Sequence, residues 1–209
     1  MRVVVLALFM ALAGGGVAPA QTLDPETALD TCLNGAEDDS DAVVTACSIA
    51  LERTDLSPVG MGVLHQRRGT AAFQKGAFGS AVFDFNEAVR LDPKSDAAFA
   101  GRGLTYYTLE QYAQAIRDLS AALELNPQHS FAQSIRGICY VRIDSYESAV
   151  EDLTAVLNSK RGGTPMDSYY RGLAYLGLGD KAKARADLKK CLAQVPDQSS
   201  CKQALSQIK

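Results

Sequence analysis

The chain has 209 residues, 47% of them apolar and 22% charged, with seven prolines and no tryptophan. That balance belongs to a folded globular protein and excludes a disordered or membrane-embedded one. The formal charge is −3, so no net basic field exists to hold a phosphate backbone or an anionic bilayer, and nucleic acid is not an expected partner. Two histidines, with no phosphate loop, nucleophile elbow or zinc-protease motif in the chain, argue against an enzyme, and neither cofactor nor metal is expected.

Residues 1–20 read as a cleaved secretory signal. Arg2 supplies a short basic start, Val3 to Ala13 is an unbroken apolar run, Gly14-Gly15-Gly16 ends it, and Ala18-Pro19-Ala20 offers small residues before a cut after Ala20. The apolar run covers about half of the roughly 20 residues a membrane span requires, so no membrane insertion of the mature chain is expected. The mature protein is placed in the periplasm or outside the cell. Export into an oxidising compartment lets thiols pair and persist. The five cysteines are an odd number, so at least one stays free, and the sequence leaves the pairing open.

Beyond the leader the chain repeats itself. Gly69, Gly103, Gly137 and Gly172 fall 34, 34 and 35 residues apart, each preceded by arginine: Arg68, Arg102, Arg136 and Arg171. Twelve residues after each glycine comes an alanine (Ala81, Ala115, Ala149, Ala184) and three later an aspartate (Asp84, Asp118, Asp152, Asp187). Pro93, Pro127 and Pro196 close three of the four units. Self-similarity at this period marks a stacked array. In the second unit, Asp96 to Leu109 has apolar residues at helical spacing, Glu110-Gln111 lies in a turn, and Tyr112 to Leu125 repeats the stripe before Asn126-Pro127 stops it. Each glycine sits mid-helix, where it costs about 1 kcal/mol relative to alanine. Its recurrence therefore predicts close approach of the two helices, glycine against alanine.

The stretch Phe99 to Pro127, FAGRGLTYYTLEQYAQAIRDLSAALELNP, resembles the tetratricopeptide repeat, with Gly103, Tyr106, Ala115, Ala122 and Pro127 in that family's positions 8, 11, 20, 27 and 32. The resemblance implies an all-α solenoid of helix-turn-helix repeats with terminal capping helices. Four units follow, 62–95, 96–129, 130–164 and 165–198, between a divergent N-terminal cap at 21–61 and a capping helix at 199–209. Position 4 departs from the family pattern, holding His65, Phe99, Gln133 and Ser168. The third unit lacks its proline and carries Lys160-Arg161-Gly162-Gly163 with one extra residue, so the junction to the fourth is expected to be bent or mobile.

In the N-terminal cap, Asp41 to Arg53 resembles a second repeat helix and Glu26 to Gly35 a shortened first one. Cys32 and Cys47 flank the turn between them symmetrically, so an antiparallel hairpin brings them level, and Cys191 and Cys201 flank Pro196 in the same way. Two disulfides are expected there, against the alternative of buried apolar thiols. Cys139 reads as a buried free thiol. The acidic turn Glu37-Asp38-Asp39-Ser40-Asp41 lacks the spaced ligands of a calcium loop and reads as a solvated turn with a helix cap.

Positions 7 and 23 lie level across each hairpin, so Arg68, Arg102, Arg136 and Arg171 are expected to pair with Asp84, Asp118, Asp152 and Asp187 as structural ion pairs rather than as an exposed charged stripe. Function is expected on the concave face, which the resemblance places at first-helix positions 2, 5, 9 and 12. The larger apolar residues there expected to bind are Phe73, Leu104, Tyr107, Phe131, Ile138, Val141, Tyr169, Leu173 and Leu176, and about half of such residues are spent on packing between units. The lysine and asparagine with which one branch of the family grips a C-terminal carboxylate are absent. The expected function is a non-catalytic adaptor that binds a peptide segment or helix of a partner protein in this groove. The alternative is a self-associating scaffold that forms homo-oligomers through the groove or the end helix.

Overall fold

A computed structural model describes residues 23–35, 39–160 and 162–208. The expected signal peptide and part of the acidic turn lie outside these residues. Eleven helices make up the described chain: α1 (Pro25–Asn34), α2 (Ser40–Ala50), α3 (Pro58–Gln74), α4 (Phe78–Leu91), α5 (Asp96–Thr108), α6 (Tyr112–Leu125), α7 (Ser130–Arg142), α8 (Tyr146–Asn158), α9 (Pro165–Gly177), α10 (Lys181–Gln194) and α11 (Ser199–Ser206).

Local chemistry sets where they start. Proline occupies the first turn of α1, α3 and α9, where its missing N–H would have no helical partner anyway. Ser57 and Ser95 accept hydrogen bonds from the N–H groups of Gly60 and Ala98, at 3.0 and 3.1 Å. Thr164 and Asp167 form a reciprocal capping box that starts α9. The turn inside each hairpin is closed differently. Ala77, Gln111, Ser145 and Asp180 each donate a backbone N–H to a carbonyl five residues back, at 2.8–2.9 Å, the closure that ends a helix in a left-handed residue. That residue is glycine in the first and fourth hairpins (Gly76, Gly179) but Glu110 and Asp144 in the middle two, with φ of 60° and 59°.

Consecutive helices pack as antiparallel pairs. The odd-numbered helices also touch one another, α1 on α3, α3 on α5, α5 on α7, α7 on α9 and α9 on α11, whereas no two even-numbered helices meet among the described residues. One layer is therefore continuous and the other fans apart, which curves the array with the odd helices on its inner, concave side. Burial follows the repeat. Ala81, Ala115, Ala149 and Ala184 are all fully buried, and Leu119, Leu153 and Leu188 with them.

The repeat glycines face the alanine column's backbone as expected, and a larger side chain besides. A Cβ at Gly137 would stand 2.8 Å from Leu153 Cγ, and one at Gly103 the same distance from Leu119 Cγ. The alanine column contributes only its backbone carbonyl, at 3.4 Å from the Cβ position at Gly69, Gly103 and Gly172. The close approach to the alanine backbone is present in these three units, but the nearest side chain is the leucine at position 24 in the last three units, and at Gly69 it is Asp84 Cβ at 3.2 Å followed by Phe85 at 3.3 Å.

Candidate protein-binding groove

Each repeat arginine reaches its aspartate across the hairpin. Arg102, Arg136 and Arg171 engage Asp118, Asp152 and Asp187 through two parallel hydrogen bonds of 2.7–2.8 Å. Arg68 does the same to Asp84 at 2.8–3.0 Å. The third nitrogen of each fork turns to the preceding hairpin: Arg68 to Ser48 at 3.1 Å, Arg102 to Asn86 at 2.8 Å, Arg136 to Ser120 and Arg171 to Thr154 at 3.0 Å. One guanidinium thus fixes both its own hairpin and the stacking of that hairpin on the last, a use of the planar five-donor fork that lysine could not reproduce. The small polar column at position 25 carried no recognised sequence signal, because Asn, Ser and Thr share a function here but not an identity.

His65 occupies the irregular fourth position of the first unit and has its Nδ1 2.9 Å from Asp84 Oδ1. Burial pushes the Asp84 carboxyl up, but hydrogen bonds from His65 and Arg68 outweigh it and hold its pKa below the usual value. Gln133 reaches Asp152 in the same manner, at 3.4 Å. The aspartates are buried and the arginines half-buried between the helices.

Cys32 and Cys47 are bridged, with Cα atoms 4.7 Å apart, and Cys191 and Cys201 are bridged with Cα atoms 6.5 Å apart. Cys139 is buried and free. Burial pushes its thiol up to about 12, so the nucleophilic thiolate is scarce at neutral pH. Asp39 caps α2, accepting a hydrogen bond from the Ala42 N–H at 3.1 Å. Among the described residues no group of three or more His, Cys, Asp or Glu side chains is placed to hold a metal ion.

The nine apolar groove residues do not form one strip. Phe73, Leu104 and Phe131, from α3, α5 and α7, converge with Thr70, Ala97, Ala100 and His129 on a concave pocket of about 200 Å³. Phe85 forms its floor, and Gly101 makes room for that ring, since a Cβ there would lie 2.5 Å from it. Phe131 stands on the rim, 47% exposed, its ring 6.4 Å from that of His129. The walls are uncharged and mostly apolar, the lining expected of a site that grips side chains by burial.

Further along, Tyr107, Val141, Tyr169 and Leu173 pack around Ile138, Leu153 and Tyr170. Ile138 itself is 7% exposed, so its assignment to the accessible groove is corrected: it is core. The reason is that Tyr170 of α9 reaches back over α7, where Arg142 donates to its hydroxyl at 3.2 Å. Burial pushes the Tyr107 and Tyr169 hydroxyls above their ordinary pKa. Leu176 packs with Leu205, Ala204 and Ile208 under the last helix. Of the nine, Ile138 alone is buried, Phe131 is exposed and the other seven are half-buried.

A second cleft, of about 420 Å³, opens on the convex side between α2 and α4, lined by Val44, Ser48, Ala72 and the 59%-exposed Phe83 above the Arg68–Asp84 pair. It opens between two outer helices that do not pack on each other, above α3. The sequence reading did not anticipate it.

Tetratricopeptide-repeat family models match residues 64–95, 97–129 and 168–197. Among solved structures the chain is similar to YrrB, described as a tetratricopeptide protein with an unusual peptide-binding site, at 21% identity over 89% of this chain and 94% of that one, TM-score 0.73. It is also similar to a tetratricopeptide repeat protein from Parabacteroides merdae (17%, 88% and 72%, TM-score 0.72) and to MamA (22%, 84% and 93%, TM-score 0.69). At such identities the likeness is one of fold. Among curated proteins no sequence matches the chain.

Proposed function

Since the chain carries tetratricopeptide repeats and folds as the solenoid they build, we propose that it is a non-catalytic adaptor that holds an extended segment or helix of a partner protein against its concave face. The observation that carries this reading is the uncharged pocket where three successive inner helices bring Phe73, Leu104 and Phe131 together, with Phe131 left half-exposed. An apolar recess on a rigid inner layer suits an apolar anchor residue from a partner, with neighbouring positions along the groove left to the rest of the segment. That YrrB is described as having a peptide-binding site is consistent with such use of the fold.

The proposed organisation is a leader at 1–20, a cap at 21–61, four repeats over 62–198 and an end helix at 199–209. We place the mature chain in the periplasm or outside the cell. The leader-like start supports this, as do the two bridged cysteine pairs, which persist where the medium is oxidising. Among the described residues no helix is long and apolar enough to cross a membrane.

The test is capture from a periplasmic or secreted fraction with the mature chain, compared with Phe131→Ala, Leu104→Asp and the outer-surface control Lys181→Ala. A protein retained by the parent and by Lys181→Ala but lost by both groove variants, with helix content and melting temperature unchanged, supports the reading. Truncating a central anchor should cost about 2 kcal/mol or more of binding. Equal capture by all four chains would remove the groove from the function.

A further inference from the structure

Charge is unevenly distributed along the solenoid. Residues 21–61 carry nine acidic side chains and one basic, residues 62–164 eleven of each, and residues 165–209 four acidic and eight basic. The net charge therefore runs from −8 through 0 to +4, end to end.

Both charged regions reach unpartnered helix faces. The outward side of α1 presents Glu26, Asp30 and Leu33 at helical spacing, all exposed. The ion pairs formed at this end, Arg53 with Asp55 and Lys75 with Asp41, leave Glu26 and Asp30 out. At the other end the change is confined to particular columns. Position 25, which accepts the next unit's arginine from Asn86, Ser120 and Thr154, is Lys189 in the last unit. Position 26 is Glu87, Ala121 and Ala155 in the first three units and Lys190 in the last. Both lysines are exposed. The last helix, α11, is held on α10 by the Cys191–Cys201 bridge and by Ala204 and Ile208 against Ala184 and Leu188, and Lys189 and Lys190 stay exposed beside it.

We propose that the chain associates head to tail with further copies of itself, the acidic α1 face of one copy seated on the Lys189–Lys190 face of the next. Charge complementarity selects this arrangement, because the two symmetric alternatives, acid on acid and base on base, are repulsive. The contact uses different patches on the two copies, so it continues into open chains rather than stopping at a closed dimer. Its charges are solvent-exposed, so it is weak and yields to salt, whose screening length falls from about 10 Å at 0.1 M to about 3 Å at 1 M. The contact does not involve the concave groove and stands or falls separately from the adaptor reading.

Sedimentation velocity on the mature chain tests it. The parent should show a concentration-dependent rise in sedimentation coefficient at about 20 mM salt and sediment as a monomer at about 500 mM. Lys189→Glu/Lys190→Glu and Glu26→Lys/Asp30→Lys should each be monomeric at low salt, because the two docking faces of each chain are then of one sign. An equimolar mixture of the two should associate again, since every junction in it is of opposite charge. Should a reversal unfold its chain, the neutral pairs Lys189→Gln/Lys190→Gln and Glu26→Gln/Asp30→Asn serve instead and should weaken association by about tenfold or more. A parent that stays monomeric at low salt up to about 200 μM overturns the proposal. So does association that survives either reversal, or a mixture of the reversed chains that remains monomeric.

Discussion

Replacing Gly137 by leucine would place a side chain where Leu153 already stands, in a packed interior with no room for either to move aside. The expected cost is about 3 kcal/mol or more, measured as a fall in the urea midpoint; an unchanged midpoint would show that α7 and α8 do not approach closely there. Asp84 supports a prediction of a different kind. Its pKa is lowered in the folded state, so its pairing contributes stability above the unfolded carboxyl's value of about 3.9 and loses it as pH falls through the lower folded value. Asp84→Asn should therefore be less stable than the parent by about 2 kcal/mol at neutral pH. The gap should shrink as pH falls below about 4 and through the lowered folded value, where the folded parent also protonates. Equal urea midpoints at neutral pH would contradict the role given to the pair. At this scale the arginine and aspartate columns were legible because one residue type recurs at each position. The glycine's true neighbour was not, since the spacing gives the level of a contact but not which of two adjacent positions, 20 or 24, turns its side chain toward it. His65 was opaque for a related reason: it stands where other units have Phe, Gln or Ser, so no column announced its bond to Asp84.

The elements at the two ends depend on their covalent bridges more than the interior units do. Among the described residues α1 packs on α2 and α3 alone, and a stacked array loses stability first where a unit has one neighbour. Closing a loop of about 15 residues is worth about 3 kcal/mol on the chain-entropy model. Replacing Cys32 and Cys47 together by alanine should consequently raise amide hydrogen exchange in α1 and α2 by about a hundredfold, with α5 to α8 little changed. Uniform loss of protection along the whole chain would show instead that the array unfolds as one unit. Helix positions were readable from the sequence because proline, glycine and the apolar stripe all mark the same boundaries. The cleft between α2 and α4 was not, because it lies between helices that are not consecutive, and the repeat pattern states which residues each hairpin buries but not how far apart neighbouring outer helices stand. The groove was legible as a face but not as a surface. Phe73, Leu104 and Phe131 meet as a pocket, whereas Tyr170, a residue outside the expected columns, packs on Ile138 and takes that residue into the core.

For the molecule as a whole, the arginine fork decides where an array of this kind can grow. Each hairpin offers its successor a small polar acceptor, Ser48, Asn86, Ser120 or Thr154, until the last offers Lys189. Duplicating residues 96–129 in place would supply both a fork and an acceptor, and the lengthened chain should melt at a higher temperature than the parent, since interior interfaces add. Splicing the same unit after residue 198 would set Arg102's counterpart against Lys189, and the added hairpin should remain loosely attached and be trimmed away by protease. A melting temperature raised equally by both insertions would show that the column at position 25 has no such authority. If it has, the number of repeats is written into the chain at its final turn, much as a row of press-studs ends where a stud is followed by another stud.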